Sequence, residues 1–183
     1  MESVYSVIDH FYAGHPELRE LLLKHSTQVR DKALQIADAA KVELDLEVVA
    51  SGAMLHDIGI IKCHAPDILC PGELPYIAHG CAGGRMLRQF GSDMEIYARI
   101  CERHTGSGLT ASEIISGNMP LPQVDLLPET PEEKLICLAD KFFSKSGKME
   151  EKPLDKIRKQ MAKFGTASAE RFEELLRLFQ YGK

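Results

Sequence analysis

The run VVASGAMLHDIG, residues 48–59, is apolar along most of its length and carries the pair His56-Asp57 near its end. A fold that buries this run must also find partners for an imidazole and a carboxylate, because a buried polar or charged group left alone is costly. Adjacent helix positions lie about 100° apart, so both side chains can aim into one cavity at the end of a helix. Three further histidines and an aspartate, His25, His79, His104 and Asp140, stand at widely separated places, each assignable to a helix or a helix edge. Brought together, these residues make a nitrogen- and oxygen-rich pocket with room for two metal ions. The competing account is a set of unrelated histidines that cap helices or face solvent.

Taken singly, His25 follows Lys24 at the opening of a helix, where an exposed or capping role is favoured over a ligand role. His79 and His104 fit either account. Asp140 lies inside LICLADKFF, where an unpaired carboxylate would interrupt a buried stripe, so a ligand role or a buried ion pair is favoured. His64 is a candidate substrate contact, whereas His10 and His15 read as structural or exposed. Glu132 and Glu133 look like paired catalytic acids, but their place in the first turn after Thr130-Pro131 already explains them through the cap and the helix dipole.

Helical periodicity dominates the rest. It predicts a helix or helix pair over about 4–23, another from His25 to about Ala40, and one capped by Asp45 and stopped at Gly59. Three prolines and a Pro-Gly step predict a long loop or a short broken helix over 60–78. Helices follow over about 79–90 and 93–104, a short one with a capping box at Thr110, and a strong one starting at Thr130-Pro131. Two more, over about 154–164 and 167–180, close the chain; LPQVDLL is the one stretch that could extend locally. The expectation is an all-α fold, a single domain over 1–183 with its motif-bearing core at about 20–145 and C-terminal helices at about 154–180. The apolar face of the last helix, Phe172, Leu175, Leu176 and Phe179, is assigned to core closure first and to a homo-oligomer contact second.

Bulk properties exclude some classes. A net charge of −5, from 27 acidic and 22 basic residues, lacks the positive footprint of a nucleic-acid binder. No stretch has the apolar length of a membrane helix, and the N-terminus reads neither as a signal peptide nor as an anchor, so a cytoplasmic protein without a membrane partner is expected. The five cysteines form no CxxC pair and no zinc-finger spacing. Cys101 and Cys137 read as small core residues, and Cys63 and Cys70 as oxidation-prone neighbours of the candidate site.

The ordered set His25, His56-Asp57 and Asp140, with His79 and His104 between the doublet and the last aspartate, resembles the HD-domain metal-dependent phosphohydrolase superfamily of the HDIG type. HDIGxxKxH, ERHxGxG and LPETPEEKLxxxAD look like a small, largely uncharacterised bacterial and archaeal subgroup. The resemblance implies an all-helical HD-domain bundle in which His25, His56, Asp57 and Asp140 surround a first ion. Asp57 would bridge to a second ion held by His79 and His104. Many relatives place a lysine three residues after the doublet's aspartate; here that residue is Ile60, and the nearest basic residue is Lys62. Lys62, Arg103 and Lys141, with Asp57, are therefore the candidates for managing charge beside the ions, with His64 as a further substrate contact. The Gly-Tyr-Pro signature of cyclic-dinucleotide phosphodiesterases is absent.

The function expected is hydrolysis of a small phosphorylated molecule, a nucleotide or another phosphate ester, with two divalent ions per chain. Iron or manganese is favoured, with magnesium, cobalt, nickel or zinc as the other candidates. Two alternatives stand beside it: a di-iron oxygenase on the same scaffold, and a metal-stabilised nucleotide-binding or signalling domain without turnover.

Overall fold

The structure, a computed structural model, describes residues 3–182. Helix α1, Val4–Tyr12, begins at Ser3, whose hydroxyl accepts the Ser6 N–H. Helix α2 then runs without a break from Pro16 to Ala39. This differs from the expected division near residue 24, and the reason is visible in its buried face. Leu18, Leu22, His25, Val29 and Ile36 continue one stripe at spacings of three, four and seven, with no breaker to interrupt it. His25 therefore occupies a mid-helix core position rather than a helix start.

Helix α3, Leu46–Leu55, is capped by Asp45, whose Oδ1 accepts the N–H groups of Glu47 and Val48 at 3.0 and 3.1 Å. It ends before the His56-Asp57 pair, earlier than the expected stop at Gly59. A 3₁₀ turn follows over Ile58–Lys62. Gly59 has another job: a Cβ there would lie 2.1 Å from the His79 carbonyl oxygen and 2.3 Å from the Gly83 nitrogen, so backbone packs directly on backbone. The segment 60–78 is more ordered than a loop. Two short strands, β1 (His64–Ala65) and β2 (Cys70–Pro71), pair antiparallel, with His64 opposite Pro71 and Ala65 opposite Cys70.

Helices α4 (His79–Phe90) and α5 (Glu95–Arg103) pack as a pair, and Gly80 meets the Cys101 carbonyl where a Cβ would stand 2.4 Å away. Helix α6, Ala111–Ser116, and helix α7, Pro131–Asp140, both start with a complete capping box, at Thr110 with Glu113 and at Thr130 with Glu133. In the LPQVDLL stretch, Leu126 makes a single bridge to Leu109. Helices α8 (Leu154–Ala162) and α9 (Thr166–Leu178) complete the bundle.

One main core joins all of these helices except α6, whose Ile114 packs in a small separate cluster with Cys81 and Leu126. Val49 and Ala53 of α3 are fully buried with Leu22 and Val29 of α2, Ile100 of α5, and Leu135 and Leu138 of α7. Phe172, Leu175, Leu176 and Phe179 are buried in the same core from the C-terminal side. The five cysteines are buried and free. Among the described residues no helix is long and apolar enough to cross a membrane.

Candidate metal centre

Three histidines are set by helix termini. His56 follows the last residue of α3, His79 opens α4, and His104 follows the last residue of α5. Each turns its Nδ1 back on the carbonyl three residues earlier: Ala53, Tyr76 and Cys101, all at 2.7 Å. A carbonyl only accepts, so Nδ1 donates its hydrogen, and a neutral ring then presents a lone pair at Nε2. His25 comes from the middle of α2 and is placed by its helix face; its Nδ1 is buried with no hydrogen-bond partner.

The four Nε2 atoms converge on Asp57, which is fully buried. Its two oxygens face different pairs. Oδ2 lies 3.1 Å from His25 Nε2 and 2.9 Å from His56 Nε2. Oδ1 lies 3.3 Å from His79 Nε2 and 3.4 Å from His104 Nε2. Asp140, at the end of α7, brings Oδ1 to 3.1 Å from His25 Nε2 and 3.5 Å from His56 Nε2. Neither Asp57 oxygen, nor His56 Nε2, has a partner in hydrogen-bonding geometry.

This arrangement fits a pair of cations. His25, His56, Asp57 and Asp140 form one donor group, and Asp57, His79 and His104 a second, with the ligand atoms of each within 4.8 Å of one another. His79 Nε2 and His104 Nε2 are 3.0 Å apart. With both Nδ1 hydrogens committed to carbonyls, two lone pairs face each other at that distance, a contact that calls for an electropositive centre between them. The donors are imidazole and carboxylate with no thiolate, a set suited to iron, manganese and similar divalent ions.

Electrostatics treat His56 differently from His79 and His104. Burial opposes charge on His56, but Asp57 and Asp140 outweigh it and lift its pKa to about 9. Burial prevails at His79 and takes it down to about 3, and it lowers His104 as well. Burial works to raise the Asp57 and Asp140 carboxyls, yet both are held well below the ordinary range, Asp57 by His56 and Lys145, Asp140 by Lys141 and His25.

A cavity of about 350 Å³ opens over this cluster, walled by Tyr76, Ile77, Thr105, Gly106, Lys141 and Lys145. Gly106 and Gly108, with φ +60° and +87°, belong to the turn that follows His104, and this left-handed backbone accounts for the glycines of ERHxGxG. Of the other sequence candidates, Lys141 is here: its Nζ lies 2.7 Å from Asp140 Oδ2 and donates to the His104 carbonyl at 3.0 Å. Lys62, His64 and Arg103 are not brought into the cavity. Lys62 borders a different depression with Glu73, Arg85 and Gln89. His64 stands exposed on β1. Arg103 is held by the Leu127 carbonyl at 2.6 Å and by Glu129 at 2.7 Å.

Sequence reasoning passed over Lys145. It lies in the irregular turn after α7, with Nζ 2.5 Å from Asp57 Oδ2 and its side chain 11% exposed. Asp57 and its neighbours outweigh burial and raise its pKa. The signal available was a lysine four residues beyond Lys141 in KFFSKSGK, which has no periodicity to mark it. Tyr76, stacked on His79 with ring centroids 4.8 Å apart, was passed over too.

A helical bundle with a shared aspartate between two histidine groups defines a metal-binding HD domain, and the family comparison agrees. The HD domain family matches residues 22–144, so the chain belongs to that family. An uncharacterised protein of Methanocaldococcus jannaschii is 34% identical over 148 residues, 79% of each chain. A tRNA (cytidine(56)-2'-O)-methyltransferase of Picrophilus torridus is 37% identical over 125 residues, and one of Thermoplasma volcanium is 31% identical over 125. These matches cover 68% of this chain but 32% of each methyltransferase. No solved structure gives a significant match.

Proposed function

We propose that this HD domain is a metal-dependent phosphohydrolase acting on a nucleotide or another small phosphate ester at a dinuclear centre. The observation that carries the reading is Asp57, whose two buried oxygens face separate histidine pairs. His25, His56, Asp57 and Asp140 would hold one ion, and Asp57, His79 and His104 the other. Bound there, such ions would supply Lewis-acid chemistry, polarising a phosphoryl group and lowering the pKa of a coordinated water.

The chain's own residues account for the rest. Lys141 and Lys145 put two ammonium groups at the mouth of the cavity, where they attract phosphate oxygens and neutralise charge that grows on them. Lys145 sits on a turn and can exchange Asp57 Oδ2 for a phosphate oxygen. Tyr76 and Ile77 cover the His79 side and limit access of water. The three carbonyl clamps hold His56, His79 and His104 in orientation throughout. The role first sought in Lys62, His64 and Arg103 thus passes to Lys141 and Lys145.

The paired lysines favour an anionic substrate, which places hydrolysis ahead of di-iron oxygenation even though the donors suit iron. The nucleotide class draws support from the two relatives whose names assign them to tRNA. Elemental analysis of wild type, His56→Ala and His104→Ala tests the centre. The expected result is two ions in wild type with one lost in His104→Ala, followed by phosphate release from a panel of esters and no oxygen uptake. A folded wild type that stays empty after repeated reconstitution would overturn the reading.

A further inference from the structure

Four imidazoles face Asp57, and three of them have the Nδ1 hydrogen placed by a main-chain carbonyl; His25 does not. The difference follows from position. His56, His79 and His104 each come directly after a helical turn (α3, the 3₁₀ turn Tyr76–Ala78 and α5), where a carbonyl three residues back is within reach. His25 lies in the middle of α2, where the Leu22 carbonyl is engaged by the helix itself. Its Nδ1 is buried and carries no hydrogen bond. An imidazole that offers Nε2 to a cation keeps its hydrogen on Nδ1, and a buried N–H without an acceptor is costly.

One turn further along the same helix, Gln28 has the converse defect. Its Nε2 donates to the Met149 carbonyl at 2.7 Å, and because a carbonyl only accepts, this contact fixes which end of the amide is nitrogen. The amide oxygen is buried and has no donor. Residues three apart on a helix are neighbours, and a long side chain leans back toward the helix N-terminus, which carries the Gln28 amide toward His25. We infer that Gln28 is the positioning residue of His25: its Oε1 takes the Nδ1 hydrogen when Nε2 holds the first ion. It thereby fixes the tautomer and ring orientation, as the carbonyls do for the other three. The inference rests on the reading of His25 as a metal ligand. Ser26 Oγ is the rival acceptor, buried and also without a partner. It stands about 100° around the helix from His25, against about 60° for Gln28.

The test loads the full chain with zinc, a diamagnetic ion, and reads affinity by chelator competition and the His25 ring N–H by heteronuclear NMR. A His104→Ala background, expected to keep only the first ion, isolates the site that His25 serves. There, Gln28→Ala should weaken zinc binding about 10- to 100-fold, the scale of losing a histidine ligand's hydrogen-bond partner. The protected Nδ1–H signal of His25 should vanish into exchange with water. Gln28→Glu keeps an acceptor, drops the Met149 contact and should retain the signal; Ser26→Ala should change neither quantity. Loss of the Met149 contact does not by itself free the stretch beyond α7. Lys32 on Glu151 at 2.5 Å and the Lys152 N–H on the Phe142 carbonyl at 2.7 Å still anchor it. The inference is overturned if Gln28→Ala binds zinc as tightly as its background or keeps the signal, or if Ser26→Ala loses the signal instead. Loss of the signal in Gln28→Glu would assign the effect to the Met149 contact and overturn it too. A wild type that stays empty sinks the metal centre and this role together; one that loads two ions with Gln28→Ala matching it sinks the role alone.

Discussion

Helix α7 carries acidic residues at both ends, and the two ends set them in different company. At its start, each glutamate is matched. Glu133 Oε2 accepts the N–H groups of Glu129 and Thr130 at 2.6 and 3.2 Å, and Oε1 accepts Arg99 Nε at 2.9 Å. Glu129 pairs with Arg99 and Arg103, and Glu132 accepts the Asp45 N–H at 3.0 Å, tying α7 to the start of α3. At its end, Asp140 also has partners, His25 Nε2 at 3.1 Å and Lys141 Nζ at 2.7 Å, but it adjoins Asp57, whose buried oxygens have neighbours and no hydrogen-bonding geometry. Carboxylates that complete their hydrogen bonds inside the protein hold the fold together. Those that converge without completing them are held ready for something else.

The sharpest way to break this contrast is Asp57→Asn, which keeps the shape and removes the shared charge. Bound metal should fall from two ions toward none, and phosphate release should be lost with it; elemental analysis on the folded variant checks this. Metal present at 100 to 1,000 times its dissociation constant stabilises the wild type by about 3–4 kcal/mol. A chelator should therefore lower the melting temperature of the wild type and leave that of Asp57→Asn unmoved. A variant that still binds both ions would undo the bridging role.

Next in size is Lys145→Ala. Metal content should stay at the wild-type level while kcat/KM falls by about 10²-fold, the scale of a lost charge-stabilising donor in a catalytic site. Arg103→Ala, altering a residue committed to Leu127 and Glu129, should leave both unchanged. If the two variants trade places, the assignment of the phosphate contact is wrong.

Glu133→Ala probes the other end of the helix. It removes the return half of the capping box and the partner of Arg99, and should cost about 2–3 kcal/mol in urea unfolding with no change in metal content. The smallest effect concerns Glu113, the matching residue of the other capping box. Burial tends to raise its carboxyl, but Arg171 and Thr110 bring it below the ordinary range. A depressed folded pKa means the contribution is complete above the unfolded carboxylate range and disappears as pH falls through the folded value. Glu113→Gln should lower the neutral plateau slightly, leave the acid end where it is, and so flatten that acid limb of the stability profile.

The same contrast explains what could be read from the sequence. Asp45, Thr110 and Thr130 were legible as caps because their partners lie two or three residues away. The order of His25, His56-Asp57, His79, His104 and Asp140 was legible as a pattern, and the fold gathers them. The continuity of α2 was hidden because Lys24 and His25 look polar, although His25 takes a place on the buried stripe. The hairpin within 60–78 was hidden by its prolines. Least legible were the long basic side chains. Lys62, Arg103 and Lys145 all lie near ligand motifs in the sequence, and their destinations depend on acceptors from distant segments: Leu127 and Glu129 draw Arg103 away, and Asp57 draws Lys145 in.

Gly59 sets a further condition on this site. Two positions along the chain from Asp57, it lies against the backbone of His79, with no room for even one methyl group. The spacing between the Asp57 carboxylate and His79 is thus gauged by two main chains in direct contact, a stiffer spacer than a side chain. A side chain at residue 59 would push the main chain that carries Asp57 away from the start of α4, and so separate the Asp57 oxygens from His79 before altering anything a substrate touches.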